Sequence, residues 1–291
     1  FLFVIDSSGS MSDEQDNVIA SFPGFIDTIT QSLAAQDFHI MVVSTDNGED
    51  SGLSNMCNGD VCNCTPAPAC CASKCKGSVM TCSGFACDDL PVGPCDYVYG
   101  GGRVYNAVGD DCGLAGGLRY MQSSQPDVEA TFECVGDVGT YGSGKEKPML
   151  AASEAISAAM VAPGACNEGF LRDDAILVLT FITDEEDDEN DNGSPGGPAD
   201  WYSALVARKG GDASAIVTLG LVGDSNLPNG LCPADVDPQM DGAVPAPRLQ
   251  SFVSMFEYGV IGSVCASDYT PFFVDAVSVI DFACDSFEPP E

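Results

Sequence analysis

Five apolar segments recur along the chain, and each is short enough to be a buried strand. They are residues 1–5, 38–43, 175–182, 215–222 and 258–264. Apolar residues at helical spacing occur between or after them, in residues 18–33, 147–160, 199–208, 247–256 and 271–282. Continuous apolar runs are typical of strands buried on both faces. Because these runs alternate with helices, the pattern predicts an α/β fold with a doubly wound, mostly parallel sheet.

One long segment departs from this pattern. Residues 46–136 are rich in Cys, Gly, Pro and Asp and show little apolar periodicity. Their few aliphatic residues would not hold a core without cross-links. We therefore interpret residues 46–136 as a disulfide-rich, irregular insertion in a single domain of residues 1–291, with the second part of the core in residues 137–291.

The cysteine content indicates an oxidising compartment. The chain has 15 cysteines, so we expect an extracellular or cell-surface protein stabilised by disulfides. A zinc cluster is the alternative, but the only histidine, His39, lies far from the cysteine-rich segment. For the last helical segment we predict a disulfide between Cys265 and Cys284. Because the first residues already form an apolar run, we expect the chain to be a processed part of a longer precursor, anchored through its missing N-terminal part.

The charge balance restricts the partners. Asp and Glu number 44 against 10 Lys and Arg, which gives a formal net charge of −34. Nucleic acids and anionic membranes both require clustered basic side chains, so we expect neither as a partner. No apolar run reaches the roughly 18 to 20 residues that a membrane span needs. An enzyme is not predicted either, because a Ser/His/Asp triad would have to use His39, which lies inside a predicted strand.

Oxygen-bearing side chains follow two of the predicted strands. The sequence Asp6-x-Ser8-x-Ser10 comes directly after the first strand, and Asp184 follows the third. Thr140 precedes the helix that leads to that third strand. Since the carboxyl ends of parallel strands meet at one edge of a sheet, we expect these side chains to converge there. Such oxygens are ligands for Mg²⁺, Mn²⁺ or Ca²⁺, although Ser and Asp are also ordinary loop and helix-cap residues.

This constellation resembles the metal-ion-dependent adhesion site of the von Willebrand factor A (vWA) family. The resemblance extends to secreted myxobacterial cell-surface members of the family, in residues 139–144, 169–175 and 182–187. It implies a Rossmann-like vWA fold outside the insertion and a divalent cation, Mg²⁺ before Ca²⁺ or Mn²⁺. It further implies a partner protein that offers an Asp or Glu carboxylate to that cation, or self-association. The implied cation ligands are Asp6, Ser8, Ser10, Thr140 and Asp184.

Asp13 and Glu14 are candidates for a second cation site. They follow Ser10 at the positions where integrin β subunits, in the same superfamily, carry ligands for an adjacent cation. The alternative is that they complement the dipole of the helix that begins here, as acidic residues in a first helical turn generally do.

A further acidic run contains half of a calcium-binding loop. Asp188-x-Asn190-x-Asn192-Gly193 matches the first half of such a loop, and Asp187 precedes it. The closing bidentate glutamate is absent, since Ala199 stands at its position. We therefore keep two interpretations, a solvated acidic loop and a less regular Ca²⁺ site.

A phosphate-binding loop competes for residues 139–145, which fit the pattern GxxxxGK after a strand-like segment at 131–135. Glu146 stands where Ser or Thr would bind Mg²⁺, so a carboxylate would face the phosphates. We therefore do not predict nucleotide binding.

Two functions follow from the sequence. The first is extracellular metal-dependent adhesion or protein recognition. The alternative is a structural surface or matrix component, in which acidic loops and metal serve stability only. A cation that keeps an exchangeable water would favour the first, because a closed coordination shell cannot accept a ligand.

Overall fold

The computed structural model describes most of the chain outside the cysteine-rich segment. The described residues are 1–32, 37–46, 57–58, 61–62, 81–82, 85–86, 94–96, 98–107, 109–140, 142, 144–233 and 242–290.

A six-stranded sheet lies at the centre of the fold, in the order β10-β9-β8-β1-β2-β7. All neighbouring strands are parallel except β2 and β7. Strands β3 to β6 form a second, short sheet within the predicted insertion. The ten strands are β1 (Leu2–Ile5), β2 (His39–Ser44), β3 (Cys57–Asn58), β4 (Val61–Cys62), β5 (Thr81–Cys82), β6 (Phe85–Ala86), β7 (Met121–Gln122), β8 (Leu177–Ile182), β9 (Ile216–Val222) and β10 (Tyr258–Ser263).

Helices cover both faces of the main sheet. They are α1 (Ser12–Ser32), α2 (Val128–Gly136), α3 (Pro148–Ala155), α4 (Ala158–Val161), α5 (Pro198–Arg208), α6 (Pro247–Val253) and α7 (Thr270–Ser286). Within β1, Phe3 and Ile5 pack with the apolar residues of α1, α2 and α7, whereas Leu2 and Val4 pack with those of α3, α5 and α6. Both faces of one strand are therefore buried, which explains its continuous apolar run. The prediction of a doubly wound, mostly parallel sheet is confirmed.

The predicted insertion extends too far toward the C-terminus. Met121 of β7 pairs with Ile40 of β2, so the edge strand of the main sheet lies inside residues 46–136. The segment interpreted as strand-like at 131–135 belongs to helix α2, whose Phe132 and Val135 are fully buried. The side chain of Asp127 accepts a hydrogen bond from the backbone N–H of Ala130, which caps this helix. Residues 121–136 are thus part of the core.

The predicted disulfide between Cys265 and Cys284 is wrong. Cys265 pairs with Cys232, and Cys284 is an exposed free thiol. Cys284 lies near the C-terminal end of α7, fourteen residues after Thr270, and at about 1.5 Å per residue this places it roughly 21 Å along the helix from its start. A disulfide allows a Cα separation of only roughly 4.4 to 6.8 Å. The other disulfides among the described residues are Cys95–Cys166 and Cys112–Cys134.

No helix in the described part of the chain is long and apolar enough to cross a membrane.

Candidate metal centre

Strands β1, β2 and β8 end side by side. Ile5 at the end of β1 pairs with Ser44 of β2 and with Ile182 of β8. The next residues stay in register, since the backbone N–H of Asp6 donates to Ile182 O at 3.0 Å and that of Thr45 donates to Ile5 O at 3.2 Å. The chain leaves β1 toward β2 on one side and later returns to β8 on the other. This is the switch point at which open parallel sheets form ligand sites.

The carboxyl group of Asp6 is fully buried at this point. Its Oδ1 accepts a hydrogen bond from the backbone N–H of Ser8 at 2.7 Å, and its Oδ2 accepts one from the hydroxyl of Thr183 at 2.6 Å. Burial raises the pKa of Asp6, and these hydrogen bonds oppose the rise. The carboxyl group is therefore held in one orientation, and a carboxylate oxygen still has a lone pair for a further ligand.

Ser8, Ser10 and Asp184 lie beside this carboxyl group. The hydroxyl oxygens of Ser8 and Ser10 are 3.2 Å apart. Asp184 is only 1% exposed, and its Oδ1 has no hydrogen-bond donor among the described residues. Burial and the charge of Asp6 raise the pKa of Asp184 to about 7, while a hydrogen bond from Ser10 opposes that rise. A buried acceptor without a donor is costly, and a cation beside it would offset that cost.

The loop that carries Thr140 adjoins the same residues. The backbone N–H of Gly142 donates to Ser7 O at 2.8 Å, and a Cβ atom at Gly142 would come within 2.3 Å of Ser7 Oγ. A Cβ atom at Gly9 would be 3.9 Å from the carbonyl oxygen of Thr140. Thr140 itself is half-buried. The structure therefore brings together the three loops that carry the five predicted ligands.

Glu146 also reaches this edge of the sheet, although in the sequence it only counts against a phosphate-binding loop. The Glu146 side chain is 2% exposed, and its Oε2 accepts a hydrogen bond from the hydroxyl of Thr45. Its Oε1 has no donor among the described residues. Its carboxyl group lies within hydrogen-bonding reach of that of Asp6, and burial together with the charge of Asp6 raises the pKa of Glu146 well above its usual value. The sequence signal that could have placed Glu146 is Pro148, because proline is favoured at the first position of a helix. Pro148 starts α3 two residues after Glu146, which puts Glu146 just before a helix.

Gln15 is a second residue that sequence reasoning missed. Its side chain is buried on α1 and hydrogen-bonds to Asp6 and to Gly139, at the start of the Thr140 loop. The available signal was a polar residue on the apolar side of an amphipathic helix, close after Ser10.

Asp13 and Glu14, the first pair proposed for a second cation, have different environments. Asp13 is exposed, whereas Glu14 points inward and its Oε2 has no donor among the described residues. Burial, and then the neighbouring Asp13, raise the pKa of Glu14 to about 8. A second cation between Asp13 and Glu14 stays a prediction.

In the acidic run after β8, the carboxylate oxygens of Asp187 and Asp188 accept hydrogen bonds from other groups of the protein. Asp187 Oδ2 accepts hydrogen bonds from the backbone N–H of Met149 at 3.0 Å and the hydroxyl of Ser194 at 2.7 Å, and its Oδ1 accepts from the backbone N–H of Ser194. Asp188 Oδ1 accepts from the backbone N–H of Asn190 at 2.9 Å and its side-chain amide at 3.0 Å, and from Arg248 at 3.1 Å.

Asn192 follows in the left-handed conformation, with φ 66°. These contacts stabilise the loop without requiring a cation. They do not test the Ca²⁺ hypothesis for residues 187–192, which stays a prediction.

His39, considered as a base, begins β2 and so lies at the opposite edge of the sheet from Asp6. Its Nδ1 is 3.0 Å from Phe170 O, and its ring packs against Tyr120. Burial lowers the pKa of His39. These contacts describe a packed side chain in the core.

In the described part of the chain, no three His, Cys, Asp or Glu side chains are grouped to hold a metal ion by themselves. The cluster at the sheet edge instead combines carboxylates with serine hydroxyls. No protein-family model matches the chain, and no curated protein matches it significantly. The geometry of this cluster is therefore the main guide to function.

Proposed function

We propose that this chain is a vWA-type recognition domain that binds a partner carboxylate through a divalent cation at the carboxyl edge of its sheet. The observation that carries the proposal is the buried Oδ1 of Asp184. It has no donor among the described residues and lies in a cluster with Asp6, Ser8 and Ser10. An acceptor without a donor, next to further oxygen ligands, is what a cation site requires.

The residues present fit such a cation. Asp6 is held in place by Ser8 and Thr183, so it keeps its orientation whether or not a ligand is bound. The proposed ligands are the oxygens of Asp6, Ser8, Ser10, Thr140 and Asp184, all of them hard donors that suit Mg²⁺, Mn²⁺ or Ca²⁺. When bound, the cation supplies a Lewis acid that accepts a carboxylate oxygen.

The fold and the composition support the same proposal. A parallel sheet with one antiparallel edge strand and a site at its switch point is the arrangement expected of a vWA domain. The disulfides support an extracellular or cell-surface location. A protein surface that offers Asp or Glu, or a second copy of this chain, is the proposed partner.

Calorimetric titration of the chelator-treated protein with Mg²⁺, Mn²⁺ and Ca²⁺ tests the site. We expect one bound ion, and loss of that binding in the double variant S8A/S10A. The matched control is S203A/S254A. Ser203 lies in α5 and Ser254 directly follows α6, both are exposed, and their hydroxyls donate to the backbone carbonyls of Ala199 and Gln250, far from the candidate ligands in sequence. Equal binding by all three proteins, or by none, contradicts the proposal.

A second measurement separates recognition from a purely structural role. The relaxation of water protons around bound Mn²⁺ reports whether the ion keeps an exchangeable water. We expect such a water, and we expect an Asp-containing peptide to displace it. A closed shell that no carboxylate enters would favour the alternative function, a structural surface component.

A further inference from the structure

Asp6 and Glu146 form a pair of buried carboxyl groups at the base of the candidate site. The two groups lie within hydrogen-bonding reach of one another, and both side chains are almost completely inaccessible to solvent. Ionised carboxylates only accept hydrogen bonds, and at this separation in a dry environment they repel strongly. Such a pair requires a proton or a cation between the two groups.

The protein donors around the pair are insufficient for two ionised groups. Asp6 has the donors Ser8 and Thr183, whereas Glu146 has Thr45 at Oε2 and, within the described part of the chain, none at Oε1. The Glu146 side chain is thus a buried acceptor directed into an oxygen cluster without a matching donor. Burying such a group uncompensated is expensive.

Two elements hold Glu146 in place. Thr45, its donor, directly follows β2, and Glu146 itself precedes α3, which packs against both β1 and β2. This acid is therefore a fixed part of the fold. Thr140 from the same loop, by contrast, is only half-buried and approaches the site near Gly9 through its backbone.

We infer that Glu146 is itself a ligand of the divalent cation and shares that cation with Asp6. This inference rests on the proposed cation site and adds to it a carboxylate that the family resemblance does not include. One consequence is a tightly held ion, because an anionic ligand replaces a neutral one. A second is that the bound ion is a weaker Lewis acid toward a partner carboxylate.

The variant E146Q tests the inference, with Mn²⁺ alone as the probe. We expect Mn²⁺ to bind at least about tenfold more weakly, since even residues behind the direct ligands contribute about 10- to 100-fold to affinity. E154Q is the matched control, because Glu154 is an exposed residue of α3, eight positions along the same segment. E154Q should bind Mn²⁺ as the unmodified protein does.

The relaxation of water protons by bound Mn²⁺ distinguishes a ligand from a structural residue. A purely structural role of Glu146 would leave this relaxation unchanged. We expect E146A, compared at saturating Mn²⁺, to gain about one exchangeable water, because a coordination position becomes free. E146D keeps the charge and shortens the side chain, and should also bind more weakly. It serves as the test if E146Q does not fold, as judged by circular dichroism.

The outcomes separate the two proposals. If Mn²⁺ binds to the unmodified protein and S8A/S10A abolishes this binding, the cation site stands. If E146Q, or E146D in its place, then retains full affinity and E146A leaves the water-proton relaxation unchanged, Glu146 is a protonated structural acid and the inference fails alone. If the unmodified protein binds no divalent cation, both proposals fail.

Discussion

Gln15 and Gly139 exchange two hydrogen bonds although they are 124 residues apart in the sequence. Gln15 Nε2 donates to Gly139 O at 2.9 Å, and the backbone N–H of Gly139 donates to Gln15 Oε1 at 3.1 Å. The same Nε2 also donates to Asp6 O at 2.8 Å. One buried amide therefore joins α1, the loop after β1 and the loop that carries Thr140, and Gln15 is a positioning residue for the candidate site.

We expect Q15A to lower the free energy of unfolding by about 2 kcal/mol, because it leaves buried backbone groups without partners. It should also weaken cation binding, since the Thr140 loop loses its attachment to Asp6. Urea denaturation and Mn²⁺ titration measure the two effects. Q122A is the control, because Gln122 is exposed on the edge strand β7. Unchanged Mn²⁺ affinity in Q15A would show that Gln15 does not position the site.

The stability of the metal-free protein should fall as the pH rises. The pKa of Asp184 is raised from 3.8 to about 7 and that of Glu14 from 4.5 to about 8, chiefly by burial. The folded protein then binds more protons than the unfolded chain between about pH 4 and pH 8, so these groups stabilise the fold at low pH and lose that contribution across this window.

Urea denaturation in the presence of a chelator, at several pH values from 5 to 8, measures this dependence. The charge of the whole chain, His39 and the buried carboxyl groups of Asp6 and Glu146 also contribute to it. The decisive comparison is therefore with E14Q/D184N, in which the loss should be smaller. Saturating Mn²⁺ should reduce the loss in the unmodified protein, because a cation stabilises the ionised form of Asp184. An identical pH dependence with and without the two substitutions would contradict the assignment.

Much of the fold follows from the sequence because both faces of the central strands are buried. Runs that are wholly or almost wholly apolar, such as residues 1–5 and 175–182, show no polar face, so they identify buried strands without knowledge of the neighbouring strands. Asp6 and Asp184 were predictable for a related reason, since each directly follows such a run and parallel strands bring their carboxyl ends together.

The parts that were missed depend on contacts distant in sequence. Glu146 approaches the site from a loop, and its role depends on its contacts with Thr45 and Asp6, which no local pattern encodes. The strand β7 has only two residues, too few to show periodicity. The pairing of Cys265 with Cys232 likewise depends on which loop lies nearby in three dimensions.

The disulfide between Cys232 and Cys265 should contribute measurably to stability. Cys232 is buried within the apolar cluster that also contains Val264. We expect C232S/C265S to lower the free energy of unfolding by about 2 to 4 kcal/mol, measured by urea denaturation. C284S is the control, because Cys284 is exposed and free, and it should have little effect. Mass spectrometry of unreduced peptides checks the pairing, and a peptide linking Cys265 to Cys284 would contradict it.

Asp187 connects the acidic run to the helix that follows Glu146. Its carboxylate accepts from the backbone N–H of Met149 in the first turn of α3, and Ser194, which also bonds to Asp187, accepts from the backbone N–H of Leu150 at 2.7 Å. These contacts satisfy N–H groups at the start of α3 that have no partner within the helix. Asp187 therefore helps to fix the segment that places Glu146.

We expect D187A to lower the free energy of unfolding by about 1 to 3 kcal/mol, because buried donors lose their acceptor. The comparison is made in the S8A/S10A background, in which an ion at the candidate site no longer contributes. If Asp187 itself binds no cation, the loss is then the same with and without Ca²⁺. D188A is the matched control, because its partly exposed ion pair with Arg248 is screened by solvent and should contribute little to stability. Denaturation of the three proteins in chelator and in Ca²⁺ decides the question. A loss in D187A that appears only when Ca²⁺ is present would instead assign a second cation to this loop.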